Sequence, residues 1–157
     1  MAAQKHPEGT KLIADNRKAH FNYEVEETLE AGLQLLGSEV KALREGKVNL
    51  GDGYALPTRA GEMVLHNVHI GAFKAANQFG HEPLRQRKLL MRRNEIDRWT
   101  SKSTERGWAI IPLMLYFKDG RAKVQLGLCR GKNQADRRHS IKERETQREV
   151  DRELRRR

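Results

Sequence analysis

The sequence predicts a mainly β protein, a small closed β-barrel with short helices attached and a charged tail behind it. Three observations carry this. A long period-two alternation runs through residues 21–35, a strand–turn–strand pattern surrounds Asp119-Gly120, and the apolar pattern stops after Leu128.

In "FNYEVEETLEAGLQL", Phe21, Tyr23, Val25, Leu29, Ala31, Leu33 and Leu35 fall on odd positions, with polar residues between them. Period two marks a strand with one buried face. Glu27 interrupts that face, and Gly32 offers a place for so long a strand to bend or bulge, as closure into a barrel requires. "GSEVKALREGK" follows as a short helix, with Ser38 as N-cap and Gly46 as the C-terminal stop. Further strands are expected at Tyr54–Leu56 and Met63–Ile70, with a turn at Arg59–Gly61. Between Phe73 and Pro83 the pattern lapses into an expected mobile loop. Asn94 then caps a helix through Trp99, with Ile96 and Trp99 on one side. Residues 109–117 and 122–128 alternate around Asp119-Gly120, a two-residue hairpin turn, and Pro112 marks an edge or a bulge in the first arm. Strands without α/β alternation complete the case for a barrel.

The chain has 157 residues and a net charge of +10, with 37% hydrophobic and 33% charged residues. That fits one domain with an extension and points to a polyanionic partner: nucleic acid, an anionic membrane or an acidic protein. No apolar run approaches the roughly 20 residues of a transmembrane helix, and "MAAQKHPEGTK" lacks a signal-peptide core. A cytoplasmic location and a monomer are therefore expected. In residues 131–157 ten cations stand against six anions, leaving +4 there and +6 in the rest. The charge surplus is shared by both parts.

Catalysis finds no support in the motifs. Gly127 to Gly131-Lys132 is one residue short of a P-loop, and Asn133 stands where Ser or Thr would hold magnesium. His66 and His69, three apart on a strand, point to opposite faces, and Cys129 is the single cysteine. No cofactor or metal is expected. The cations are more informative: Arg85, Arg87 and Lys88, with Arg92 and Arg93 beyond, and Lys41, Arg44 and Lys47 on the first helix. Clusters of this kind neutralise phosphate, while Asn49, Asp52, Tyr54 and His69 offer polar or stacking groups for RNA. Glu30, on the polar side of the long strand, can accept from a base edge or a ribose hydroxyl.

Residues 16–55, "NRKAHFNYEVEETLEAGLQLLGSEVKALREGKVNLGDGYA", resemble the signature region of SmpB, the bacterial SsrA-binding protein family. "PLRQRKLLMRRNEI", "GWAIIPLMLYFKDGRAKVQLGLCRGK" and "DRR" resemble its later segments, so the likeness covers the chain after Lys11. The resemblance implies a barrel of the oligonucleotide-binding (OB) type over residues 1–130. Its ligand would be transfer-messenger RNA (tmRNA, also SsrA RNA), carried to stalled ribosomes for trans-translation. Residues 131–157 would be a tail that is disordered when free and helical in the ribosome's decoding centre and message channel. The family is not enzymatic. Glu30 and Leu90 match residues that hold tmRNA. Asn16, Lys18, Glu39, Lys41, Arg44, Asn49, Asp52, Tyr54, Arg85, Arg87 and Lys88 belong to matching motifs. Gly131, Lys132, Asp136, Arg137 and Arg138 match the tail motif used on the ribosome, with His139, Lys142 and Arg144 beside it. Arg92 stands where the family usually carries His or Asn. Ala135 replaces a usual ring, so ring stacking there is absent or supplied by His139. A structural ribosomal protein with a basic extension is the alternative.

Overall fold

A computed structural model describes residues 8–72 and 80–156. The chain opens with strand β1 (Thr10–Asp15) and helix α1 (Arg17–Asn22), which no sequence pattern announced. Asn16 caps α1, its Oδ1 accepting from the Ala19 amide at 3.1 Å. The long strand β2 spans Tyr23–Leu33, so Phe21 belongs to α1 and Leu35 lies beyond the strand. Its alternation holds, with Glu24, Glu26, Thr28 and Glu30 exposed. Helix α2 (Gly37–Arg44) is capped two residues earlier than expected, at Leu36. Glu39 Oε1 accepts from the Leu36 amide at 3.0 Å, while the Ser38 hydroxyl meets His81 Nδ1 at 2.9 Å. Gly46, at φ +73°, ends it as expected.

Strands β3 (Val48–Asn49), β4 (Tyr54–Pro57), β5 (Met63–His66) and β6 (His69–Ile70) follow. The expected strand over 63–70 is therefore two, broken where Asn67 adopts φ +60°. Most of the expected loop at 73–83 lies outside the described residues. Strand β7 (Arg87–Leu90) leads into helix α3 (Arg93–Arg106). That helix starts before Asn94 and runs well past Trp99, with Glu95 Oε2 accepting from the Arg92 amide at 3.0 Å. Strands β8 (Ala109–Lys118) and β9 (Arg121–Gly131) form the hairpin, and Asp119 and Gly120 both take positive φ, 51° and 75°.

Pairing runs β8–β4–β5–β7–β2–β9 and returns from β9 to β8, closing a ring of six antiparallel strands. β1 joins β8 from outside the ring, and β3 pairs with β6 separately. The second edge of β8 is shared: β4 meets it at Ile110 and β1 from Met114 onward. Pro112, which has no amide hydrogen to leave unpaired, falls in the gap beside a bulge between Pro112 and Met114. Asn16 fills this gap. Its Nδ2 donates to the carbonyls of Pro112 (2.8 Å) and Leu50 (3.1 Å), and its amide to that of Leu113 (2.8 Å). The β2 bulge lies between Val25 and Glu27, not at Gly32. Gly32 serves close approach instead, since a Cβ there would sit 3.1 Å from Leu90 Cβ.

Inward side chains such as Met63, Leu65, Leu89, Ile110, Leu115, Val124 and Leu126 fill the ring, and Trp99, Ile96, Ala42 and Leu43 bring α3 and α2 onto the same core. Burial of this kind contributes about 1.5–3 kcal/mol per large apolar side chain. A second cluster, Ala19 with Ile111, Leu113 and Cys129, forms where α1 covers the outside of β8 and β9.

The tail differs from the expected disorder: residues Gln134–Arg156 form one helix, α4. Lack of a core does not forbid a helix that is capped and internally paired. Asn133 Oδ1 accepts from the Asp136 amide at 2.8 Å, Gln147 donates to Asp151 at 2.9 Å, and His139 lies 3.2 Å from Glu143. Its first half touches the body, because Lys132 Nζ bridges the His20 carbonyl (3.1 Å) and Ser140 Oγ (3.2 Å). The Arg144 guanidinium also stands 5.1 Å from the centre of the Phe21 ring. Every described residue from Ile141 to Arg156 is exposed.

Candidate nucleic-acid interface

Where β2 meets β7 through the Gly32–Leu90 pair, the outward residues of both strands line a groove. Strand parity decides who faces it: Arg87 and Leu89 turn inward, Lys88 and Leu90 outward. Leu90 is 54% exposed, a large apolar side chain on a basic surface. Glu30, Lys88 and Arg92 lie with it, joined by Lys123, which the sequence reading did not single out. Lys88 pairs with Glu62 at 2.6 Å.

Glu30 is not a loose surface carboxylate. Tyr116, itself buried, donates its hydroxyl to Oε2 at 2.5 Å, and Lys118 Nζ approaches Oε1 at 3.4 Å. Burial, and then the neighbouring carboxylate, push the Tyr116 phenol above its ordinary pKa, so it stays a donor. Glu30 is thereby held in one orientation and remains partly open to solvent. Sequence reasoning missed Tyr116 and Lys118 because they come from β8, more than eighty residues away.

A second group sits at the β4–β8 junction, which lies halfway round the ring of six from the β7–β2 junction. Lys18 and Asp52, both exposed, pair at 2.7 Å, and Asn49 Oδ1 shapes the adjoining turn by accepting from the Gly51 amide at 2.8 Å. Tyr54 stacks on His66 with ring centres 5.3 Å apart and planes at 6°. Of the expected RNA contacts, Glu30, Lys88, Leu90 and Arg92 thus lie on one side of the ring, and Lys18, Asn49, Asp52 and Tyr54 lie on the opposite side.

Three expected contacts are interior. Asn16, Glu39 and Arg87 are 3%, 0% and 1% exposed, and their polar atoms are spent on the protein itself. Glu39 binds both Arg85 and Arg87, and Arg87 also donates to the carbonyls of Val68 (2.7 Å) and Pro83 (3.1 Å). Burial pushes the Glu39 carboxyl up. The Leu36 amide and the two guanidiniums outweigh it and hold the group below the usual carboxylate range. These residues form part of the framework beneath the surface. Arg85 is the partly exposed end of this cluster, while Lys41 and Arg44 are exposed on α2 and line neither groove.

On the tail, Lys132 is occupied by the His20 carbonyl and Ser140, and Gly131 ends β9. Asp136 lies in the first turn of α4, where a carboxylate suits the helix dipole. Arg137, Arg138, Lys142, Arg144, Arg148, Arg152, Arg155 and Arg156 share an arc of about 160° at ~100° per residue. His139 faces away from that arc, and Glu145 and Glu149 fall within it, so the face carries an excess of cations along the length of the helix.

Cys129 is fully buried, and burial pushes its thiol up to about 12, far from a thiolate nucleophile. Among the described residues no group of His, Cys, Asp and Glu is arranged to hold a metal, and no helix is long and apolar enough to cross a membrane.

A ring of strands with polar, cationic grooves and a helix rich in cations fits the class of RNA-binding proteins. The family model described as SmpB protein matches residues 13–156, and the chain belongs to the SmpB family. It is 63% identical to the SsrA-binding protein of Myxococcus xanthus, over 95% of this chain and 91% of that one. Against the SsrA-binding protein of Bacillus cereus (strain B4264) it is 49% identical over 95% and 96%. A solved chain from work described as "tmRNA-SmpB: a journey to the center of the bacterial ribosome" is 41% identical. It superposes with a TM-score of 0.66, covering 77% of this chain and 85% of that one.

Proposed function

We propose that this protein binds the tRNA-like domain of tmRNA and delivers it to stalled ribosomes, where trans-translation tags the nascent chain and frees the ribosome. The observation that carries the RNA site is the β2–β7 groove, where the fixed Glu30 carboxylate and exposed Leu90 lie beside Lys88 and Arg92. Carboxylate and leucine select by hydrogen bond and contact, while the cations supply affinity through phosphate. The closed ring supports an OB-type barrel over residues 1–130, working in the cytoplasm as a monomeric, non-enzymatic carrier.

Residues 131–157 act as a separate unit on the ribosome. The second half of α4 has no tertiary support among the described residues, so in water it frays by the usual cost of helix nucleation. Inside an RNA-walled channel its excess of cations is neutralised and the helix is held. Arg137, Arg138, Lys142 and Arg144 are its leading contacts, with Asp136 and His139 beside them.

Purification of the protein with its bound RNA, followed by sequencing of that RNA, tests the reading. One dominant tmRNA species is expected. Stoichiometric presence on every ribosome, with no preference for tmRNA, would favour a structural ribosomal protein.

A further inference from the structure

We propose that Ser140 is a phosphorylation site, modified by a protein kinase that reads arginines, and that its phosphate fastens helix α4 to helix α1. The regulatory part rests on the reading above, in which the tail acts on the ribosome. Ser140 stands in the order Arg137-Arg138-His139-Ser140-Ile141. Guanidiniums two and three residues before a serine suit a kinase cleft lined by carboxylates, and an apolar residue just after it suits a hydrophobic pocket. Kinases take their substrate extended, so the segment must leave the helix. It is free to do so: among the described residues α4 adds none to either core cluster, and Arg137, Arg138, His139 and Ile141 are exposed. In the step itself, the Ser140 hydroxyl oxygen attacks the γ-phosphorus of a nucleoside triphosphate. The bond from that phosphorus to the β-phosphate oxygen breaks, the nucleoside diphosphate leaves, and the hydroxyl proton passes to a base of the kinase.

The folded chain already holds a cation at the place the phosphate would occupy. Ser140 Oγ donates to the Asp136 carbonyl at 3.0 Å and accepts from Lys132 Nζ at 3.2 Å, and Lys132 also binds the His20 carbonyl in the last turn of α1. Arg137 and Arg144 lie three residues before and four after Ser140, the spacings at which helical side chains meet. Arg144 also stands over the Phe21 ring, a second link to α1. Two anions share that side of the helix, Asp136 and Glu143, and Glu143 is drawn 3.2 Å from His139. Three cations therefore outnumber two anions around the hydroxyl. A phosphate brings nearly two negative charges near pH 7 and three acceptor oxygens. It converts a single hydroxyl contact into a charged clamp on Lys132 and Arg144, and the net charge of residues 131–157 falls from +4 to about +2. Helix α4 is then held on the body and withheld from an RNA-walled channel.

The full-length protein is incubated with ATP and the catalytic subunit of cyclic-AMP-dependent protein kinase, which has this specificity, and the product is mapped by mass spectrometry. Phosphate on Ser140 is expected, absent in Ser140→Ala and formed about tenfold more slowly in Arg137→Ala. In the phosphorylated chain, amide exchange across residues 134–144 and tagging on stalled ribosomes should each fall about tenfold. Its tmRNA dissociation constant should stay within about threefold of the unmodified value. The protein purified from its own cells, sampled in growth and in stationary phase, should carry the same phosphate in at least one sample. No labelling of Ser140, unchanged exchange or unchanged tagging after labelling, or no phosphate on Ser140 in either sample of cells would overturn the proposal. Failure of the unmodified chain to support tagging would strike the functional reading instead, whatever the phosphate does to exchange.

Discussion

The hydroxyl of Tyr116, a side chain 1% exposed, donates across 2.5 Å to the Glu30 carboxylate on the outer side of β2. A buried donor thus aims a surface acceptor, and Glu30 has a framework role beside the recognition role proposed for it. Replacing it with Ala leaves the phenol without its acceptor, at a cost of about 1–3 kcal/mol. Glu30→Gln keeps an acceptor for Tyr116 and removes only the charge. Glu30→Gln is expected to unfold within about 1 kcal/mol of the parent and to bind tmRNA roughly tenfold more weakly, as suits a lost charged hydrogen bond. Denaturant titration and RNA-binding titration on the same sample separate the two effects; unchanged affinity would make Glu30 purely structural.

Asn16 is a stability residue. It caps α1 and occupies the carbonyls of Leu50 and Pro112 in the gap along β8. Asn16→Ala should lower stability by about 2–3 kcal/mol, combining a lost cap with stranded buried carbonyls. Urea unfolding measures this, and a loss below ~0.5 kcal/mol would remove the framework role.

Acid should weaken the fold through two carboxylates. Lys102 lowers the Glu27 pKa, aided by Arg98 and Trp99 against burial, and Glu39 is lowered by its amide and guanidinium partners. A folded pKa below the unfolded value of 4.5 gives stability that is complete above that value. The contribution is lost as pH falls through the folded values. The urea midpoint should stay level from about pH 7 to 5 and drop below about pH 4.5. A level midpoint down to ~pH 3 contradicts this.

Lys132 ties the tail to helix α1 through the His20 carbonyl, although it lies in the segment that resembles the family's tail motif. Lys132→Met should speed amide exchange across residues 134–144 about tenfold, the effect of losing one charged hydrogen bond of ~1.5 kcal/mol. Hydrogen exchange read by mass spectrometry checks this, and unchanged rates would show that the bridge holds nothing.

Much of the ring was legible because its signals are local. The alternation of β2 and the Asp119-Gly120 turn need no distant partner. β1 and α1 were not legible: "TKLIAD" does not alternate, and α1 buries Ala19 alone. The interior placement of Arg87 was available from parity, since Leu89 shares its face, and that of Glu39 from helical spacing to Ala42 and Leu43. A charge in the core nonetheless ran against composition, and only the Glu39–Arg85–Arg87 cluster explains it. Tyr116 on Glu30 depends on strand register, which single-chain patterns do not carry. The pairs along helix α4 were legible as a capacity for helix, while its few apolar residues pointed to disorder in the free chain; the cap at Asn133 is the part that the sequence reading did not single out.

The division of labour between strand ring and tail is the centre of this account, and among the described residues α4 contributes none to either core cluster. The most direct test compares the full chain with a chain ending at Gly131, measuring the tmRNA dissociation constant and tagging on stalled ribosomes. A dissociation constant within about threefold, less than ~1 kcal/mol, together with abolished tagging is the expected result. RNA affinity falling as far as tagging would contradict the account.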